Sequence, residues 1–248
     1  MKYFKLSVWA SILGMLFIAG CSGNEPIDAD TVLNKAMDTH GSENLFGKEI
    51  GFDFRDWSYG MFRDSTVYEY TRTKDSIEDR LHSINGFSRF ISGEEVIVVD
   101  SMATKYSNSV NSVLYFFQLP LVLRDAAVQK EYLGKITIKD QQYHTLKITF
   151  RQEGGGVDFE DEFRYWINAN TFEIDYLAYS YLTDGGGVRF REAFRKERIE
   201  AILFQDYRNF KPKDKNTPLD SLPQLFEKGK LELLSLIENK NIRIKPLD

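Results

Sequence analysis

The feature that most constrains this chain is an alternation of apolar and polar residues with a period of two, which recurs along most of its length. In EIGFDFRDW, Ile50, Phe52 and Phe54 face one way while Asp53 and Arg55 face the other. YGMFRDSTVYEYTR, EYLGKITI, YHTLKITF, FRYWI, FEIDYLAYSYL, VRFREAF and RIEAILFQDYRNF continue the series, and the apolar run Val96 to Val99 closes its first part. Successive side chains of a strand point to opposite faces of a sheet, so these segments read as consecutive antiparallel strands with one buried face. The tail KLELLSLIENKNIRIKPL fits helix or strand; Gly229 ahead of it and the Ile242/Ile244 alternation favour strand.

Three segments break the period. Asp30 is the expected N-cap of a helix carrying Val32, Leu33, Ala36 and Met37 at helical spacing, with Gly41 as its stop. Ser107 to Asp125 places Val110, Val113, Leu114, Phe117 and Leu121 on one stripe, which Pro120 ends or bends. SLPQLFEKG reads as one or two helical turns. No shift in composition divides residues 30–248, which read as one domain. The expected fold class is α+β: a single curved antiparallel sheet, an unclosed half-barrel, with two to three helices on its concave side. The helices are too few to cover one face of so long a sheet, and strong curvature lets an apolar concave side wrap around them or around a ligand.

Aromatic residues make up 14% of the chain. Phe52, Phe54, Trp57, Met61, Phe62, Tyr165, Trp166, Tyr176, Phe190, Phe194 and Phe204 cluster on the expected strands and are the candidates for a hydrophobic cavity lining. An ordinary core accounts for most of such a set, and the alternation alone does not separate the two roles.

Two glycine runs stand out: EGGGVDFEDEF, Glu153 to Phe163, and DGGGVRFREAF, Asp184 to Phe194. A phosphate-binding loop needs a helix after the glycines, and VRFREAF alternates like a strand. Both runs therefore read as hairpin ends, with strands 158–168 and 188–196 flanking 172–183. Turn-centred pairing puts Glu160 across from residue 179, and that residue across from residue 192; with a one-residue register shift, Asp158 and Glu160 face Arg189 and Arg191 across Tyr179 and Tyr181 and complement them on the solvent side. If Arg189 and Arg191 instead line a cavity mouth, they are the candidate contacts for an anionic headgroup.

Catalytic chemistry has little support. His40, His82 and His144 lie far apart, no His-Glu-x-x-His or paired-cysteine spacing marks a metal site, and no Gly-x-Ser-x-Gly elbow presents a nucleophile. Glu160, Asp161 and Glu162 alternate across a strand and read as a solvated face. Neither a metal nor a cofactor is expected. A net charge of −5 gives the chain no general attraction for nucleic acid.

The first residues form an address. Lys2 and Lys5 precede the apolar LSVWASILGMLFI, and Ile18-Ala19-Gly20-Cys21 resembles the lipobox of bacterial lipoproteins. The resemblance implies that residues 1–20 are a signal peptide and that Cys21, the only cysteine, carries the acyl chains that join the protein to a membrane. Residues 21–29 would then be a lipidated tether, and Ser22, where some lipoproteins carry aspartate, points to the outer membrane.

The body resembles the superfamily of Lol-type lipoprotein carriers. The N-terminal helix, the paired strands FDFRDWSYGMFRDSTVYEY, the helical insertion and the later meander YWINANTFEIDYLAYSY carry that resemblance. THGSENLFGKEIGFDFRDWSY and GGGVRFREAF with ILFQDYRNF are similar to a group of lipoproteins of like length. The resemblance implies an unclosed antiparallel barrel whose helices plug an apolar cavity, and a non-enzymatic protein that takes an acyl chain, lipid or lipoprotein. The alternative is an envelope scaffold or interaction module without a ligand cavity.

Overall fold

The computed structural model describes residues 27–153 and 159–246. Helix α1 (Ala29–His40) is followed by β1 (Lys48–Phe54), β2 (Trp57–Arg63), β3 (Tyr68–Lys74), β4 (Ile77–His82), β5 (Gly86–Ile91) and the short β6 (Glu94–Val96). Helix α2 (Asp100–Phe117) leads to β7 (Val128–Ile138), β8 (Gln141–Phe150), β9 (Glu162–Asn168), β10 (Ile174–Tyr181), β11 (Gly187–Ile199) and β12 (Ile202–Lys211). A short α3 (Leu222–Glu227), then β13 (Glu232–Ile237) and β14 (Lys240–Pro246), complete the described chain. Two-residue turns close several hairpins. At Lys139-Asp140 and Glu200-Ala201 both turn residues take positive φ, the geometry whose twist matches the flanking strands.

The α+β, unclosed antiparallel architecture holds, with a seam where one continuous sheet was expected. The strands are hydrogen-bonded as two seven-stranded sheets, β14-β1-β2-β3-β4-β5-β6 and β13-β12-β11-β10-β9-β8-β7. The helical insertion α2 separates β6 from β7, so those two edges do not meet. At the other side β13 and β14 are separated by only two residues, yet one pairs with β12 and the other with β1. The chain thus turns a corner from one sheet to the other, a known way for a sheet to bend around a core.

Helices α1 and α2 fill the concave side. Val32, Leu33 and Ala36 of α1 join Val110 and Leu114 of α2, Ile50, Phe52 and Met61 of the first sheet, and Leu146, Tyr165 and Phe204 of the second in one core. Asp28, not Asp30, caps α1: its Oδ1 accepts the Thr31 N–H at 2.7 Å, which leaves Asp30 in the first turn beside the positive end of the helix dipole. At the other end Gly41 has φ +66°, and a Cβ there would stand 2.0 Å from the Ala201 carbonyl oxygen, so only glycine fits. The third helix covers the opposite face of the second sheet, where Leu222 and Phe226 pack on Trp166, Tyr176 and Phe190.

Helix α2 begins at Asp100, seven residues before the expected start. Its first half has no buried apolar stripe, which is why the apolar period missed it; it is held by charge. Ile97 and Val99, read as strand, lie outside β6 and are exposed, while Val99 occupies the N-cap position. Buried Asp79 on β4 accepts Arg72 Nε at 2.8 Å and Arg89 Nε at 2.6 Å. Arg72 Nη1 then donates to Ser109 Oγ at 2.5 Å, and the Arg89 guanidinium lies 3.5 Å from the Tyr106 ring centroid. Both receiving groups are on α2, so this carboxylate with its two arginines fastens the helix to the first sheet.

Candidate functional site

Between the sheets lies a cavity of about 1040 Å³. One wall is the inner face of β9, β10, β11 and β12, where alternation turns Phe163, Tyr179, Tyr181, Arg189, Arg191, Tyr207 and Asn209 inward. The first sheet supplies Trp57, Tyr59, Tyr68, Tyr70 and Arg72, and α2 crosses above with Ser109, Ser112, Tyr115, Phe116 and Phe117. Rings set the shape: Phe163 and Tyr179 stack at 5.3 Å, Phe116 meets Tyr179 at 5.3 Å, and Phe150 meets Phe163 edge-on at 5.8 Å. These separations are ordinary for aromatic pairs and fix the rings without filling the space between the walls.

The lining is amphipathic and not purely apolar. Burial pushes the pKa of the lining phenols Tyr115 and Tyr207, and of Tyr165 beneath them, upward, so they remain neutral hydrogen-bonding groups. Tyr115 and Tyr165 share a hydroxyl contact of 3.2 Å, and the Tyr70 hydroxyl accepts from Gln118 Nε2 at 2.8 Å. Arg63 is paired with Asp125 at 2.6 Å and Arg72 with Asp79 at 2.8 Å.

Arg189 and Arg191 lie on this wall, not on a solvent face. The register differs from the turn-centred expectation: Tyr179 pairs with Arg189 on one side and Phe163 on the other, and Leu177 pairs with Arg191 and Tyr165. The turn after β9 runs from Asn168 to Glu173, with Asn168 Oδ1 accepting the N–H groups of Asn170 and Thr171, so its centre lies beyond Asn168–Thr171. The acid row falls out of step as a result. Glu160 is exposed, Glu162 pairs with Arg164 at 2.8 Å, and among the described residues neither Arg189 nor Arg191 makes an ion pair. Gly154 to Asp158 of the first glycine run lie outside the described residues, as does Cys21. The order of strands is as expected, with β9 and β11 flanking β10.

Of the other expected cavity residues, Phe54 and Trp57 line it. Phe52, Met61, Tyr165 and Phe204 sit beneath, in the main core; Phe52 stacks on Phe117 at 3.8 Å. Trp166, Tyr176 and Phe190 occupy the opposite face of the second sheet under α3, because they alternate out of phase with Tyr165, Leu177 and Arg191. Half-buried Phe62 alternates with buried Met61, and Phe194 packs under the guanidiniums of Arg195 and Arg208, so neither reaches the cavity. Tyr179, Tyr181, Phe163 and Phe116 were not among the candidates. The phase of Tyr179 and Tyr181 was legible, but assigning that phase to the inside required the register.

The histidines hold the fold. His40 Nε2 accepts the Ile174 N–H at 3.1 Å, His82 Nδ1 accepts the Ile84 N–H at 3.1 Å, and His144 Nδ1 lies 2.9 Å from the Tyr132 hydroxyl. No group of three or more histidine, cysteine or carboxylate side chains among the described residues is placed to hold a metal.

A family model matches residues 12–239 of this sequence. The chain belongs to DUF6503. That family is described as one of unknown function. No curated protein matches this DUF6503 chain. Among solved structures, a DUF1329 family protein from Desulfovibrio piger superposes with a TM-score of 0.51 at 9% identity, over 87% of this chain and 92% of that one, and shares the fold. A domain named for outer-membrane lipoprotein sorting, from Vibrio parahaemolyticus, gives 0.49 at 6% identity over 88% and 93%. A LolA-superfamily protein from Nitrosomonas europaea gives 0.44 at 11% identity over 90% and 96%.

Proposed function

We propose that this protein is a lipid-anchored, non-enzymatic component of the cell envelope that binds a hydrophobic ligand, an acyl chain, lipid or lipoprotein, in the cavity between its two sheets. The observation that carries the reading is the cavity itself. At about 1040 Å³ it lies at the upper end of the usual range for ligand sites, and aromatic rings from both sheets and α2 form its walls. A scaffold module has no use for such a space, which favours ligand binding over the interaction reading. The histidines, each engaged in a structural hydrogen bond, supply no acid–base pair for catalysis. Anchoring is supported by the lipobox resemblance at Ile18 to Cys21.

Mass spectrometry of solvent extracts from the purified protein tests the ligand: co-purifying lipid at near-stoichiometric amounts is the expected result, and its absence after mild purification, with no uptake of added lipid, removes the reading. Cys21→Ser is expected to shift the protein from the membrane to the soluble fraction; unchanged fractionation refutes the anchor. No helix among the described residues is long and apolar enough to hold it there instead.

A further inference from the structure

Arg191 is in an unusual position for a cation. It is 7% exposed, on the central part of β11, and lines the cavity. Its guanidinium lies 3.6 Å from the Phe116 ring centroid, and Nη2 donates to the Tyr179 hydroxyl at 3.0 Å. Its Nε is buried with no hydrogen-bond partner. A buried charge is ordinarily neutralised by a carboxylate with good geometry, and a buried donor left unmade is expensive. Here the surroundings are rings and neutral phenols. Buried Tyr165 and Tyr207 stay protonated well into the alkaline range and cannot act as counter-ions. Asp161 also lines the cavity and has an interaction of its own, no ion pair joins a described carboxylate to Arg191, and Asp125 is paired with Arg63.

The positive charge continues outward. Arg189 lies two residues nearer the hairpin end, roughly 7 Å along the strand, with its guanidinium over the Tyr181 ring at 5.0 Å. Arg189 and Tyr181 line both the main cavity and an adjoining groove of about 310 Å³, which Lys211, Lys213 and Lys215 also border. Lys215 Nζ donates to the Gly185 carbonyl at 2.9 Å, and Lys211 is paired with Glu232 at 3.3 Å. This cationic track is local, because the chain as a whole carries a net charge of −5.

We propose that the cavity's ligand is an amphiphile with one anionic group, a carboxylate or a phosphate, and that this group is bound inside the cavity against Arg191, with Arg189 and the lysine-bordered groove as its route of entry. The proposal rests on the cavity reading above and adds the chemistry and orientation of the ligand. A guanidinium offers a planar fork to two oxygens, and its charge fits either anion. The aromatic wall beside it accepts the apolar part.

The test uses the full chain carrying Cys21→Ser, so that no detergent competes for the cavity. Dissociation constants are measured for dodecanoate, dodecyl phosphate, dodecanol and inorganic phosphate by displacement of a neutral fluorescent probe. Dodecanoate and dodecyl phosphate are expected to bind roughly 10- to 100-fold more tightly than dodecanol, the range for hydrogen bonds to a charged group. Arg191→Met is expected to abolish that preference while dodecanol binding stays within about twofold, as loss of the charge-assisted bonds alone implies. Arg191→Lys keeps the charge without the fork and retains part of the preference; Arg189→Gln, at a half-exposed position, reduces it only a few-fold and remains informative if Arg191→Met fails to fold. Equal binding of dodecanoate and dodecanol overturns the anion site and leaves the cavity reading intact. Inorganic phosphate binding as tightly as dodecyl phosphate makes the site one for a free anion and overturns the amphiphile. Failure of all four probes removes the cavity reading, and this proposal with it.

Discussion

Alanine at position 79 is expected to destabilise the protein by about 3–5 kcal/mol, the usual penalty for removing one partner of a buried ion pair. Asp79 is fully buried and is shared by Arg72 and Arg89, which are 7% and 13% exposed at their side chains. Without the carboxylate two guanidiniums are left side by side in a dry site, each repelling the other. Urea unfolding reads the loss, and hydrogen exchange locates it. Amides of α2 up to Ser109, the stretch that Arg72 and Arg89 reach through Ser109 and Tyr106, should lose protection more than those around Leu114, which the main core holds. Asp79→Asn should come close to the alanine variant, since the shape is kept but the charge is not. A loss under about 1 kcal/mol, the level of an exposed ion pair, would show that the network contributes nothing specific.

Stability is also expected to fall as pH drops below 6.5, with His40 as a principal cause. Its Nε2 accepts a backbone N–H from Ile174, a bond that requires the unprotonated ring. Burial first, then the charges of Lys196 and Arg198, bring its pKa from 6.5 down to about 3. Between those values the unfolded chain binds a proton that the folded chain refuses, so acid favours unfolding. The contribution is complete above the unfolded value and is lost progressively as pH falls towards 3, at up to about 1.4 kcal/mol per pH unit. His40→Gln keeps an acceptor for Ile174 without a titrating ring. Between pH 7 and pH 4 it should lose roughly 3 kcal/mol less than the unmodified protein does. Parallel pH profiles for the two would sink the assignment to His40.

These two groups illustrate what the sequence conveys and what it withholds. Strand-forming alternation is a local property, so β1 to β5, β7 to β12 and the strand character of the tail were legible, as was the α1 stripe of Val32, Leu33, Ala36 and Met37. The first half of α2 was not, because Arg72, Asp79 and Arg89 hold it from three other strands and its own sequence carries no apolar period. The cavity wall failed for a related reason. Alternation sorted Tyr165 from Trp166 and Tyr176 from Leu177, but both faces of the second sheet are buried, one by the main core and the other by α3. With two apolar faces, composition cannot say which is inside. The register of the β10–β11 hairpin then placed Arg189, and not Glu192, opposite Tyr179, an odd slip that puts both arginines on the face of that ring, and a cationic stripe assigned to the solvent proved to face the cavity.

The corner between β13 and β14 also determines when the protein can finish folding. Lys48, near the start of β1, pairs with Pro246 at the end of the described chain, and β12 waits for β13 from the same terminal segment. A chain delivered from its N-terminus can build its local hairpins early, yet the edges of β1 and β12 stay bare until residues 232–246 arrive. Pairings that span so much sequence are slow to form, and bare edges recruit foreign strands in the meantime. The β13–β14 corner is thus the fastening of both sheets: a loss of residues 232–246 strips Ser235, Ile237 and Asn239 from the cavity lining and leaves β1 and β12 as open edges ready to template aggregation.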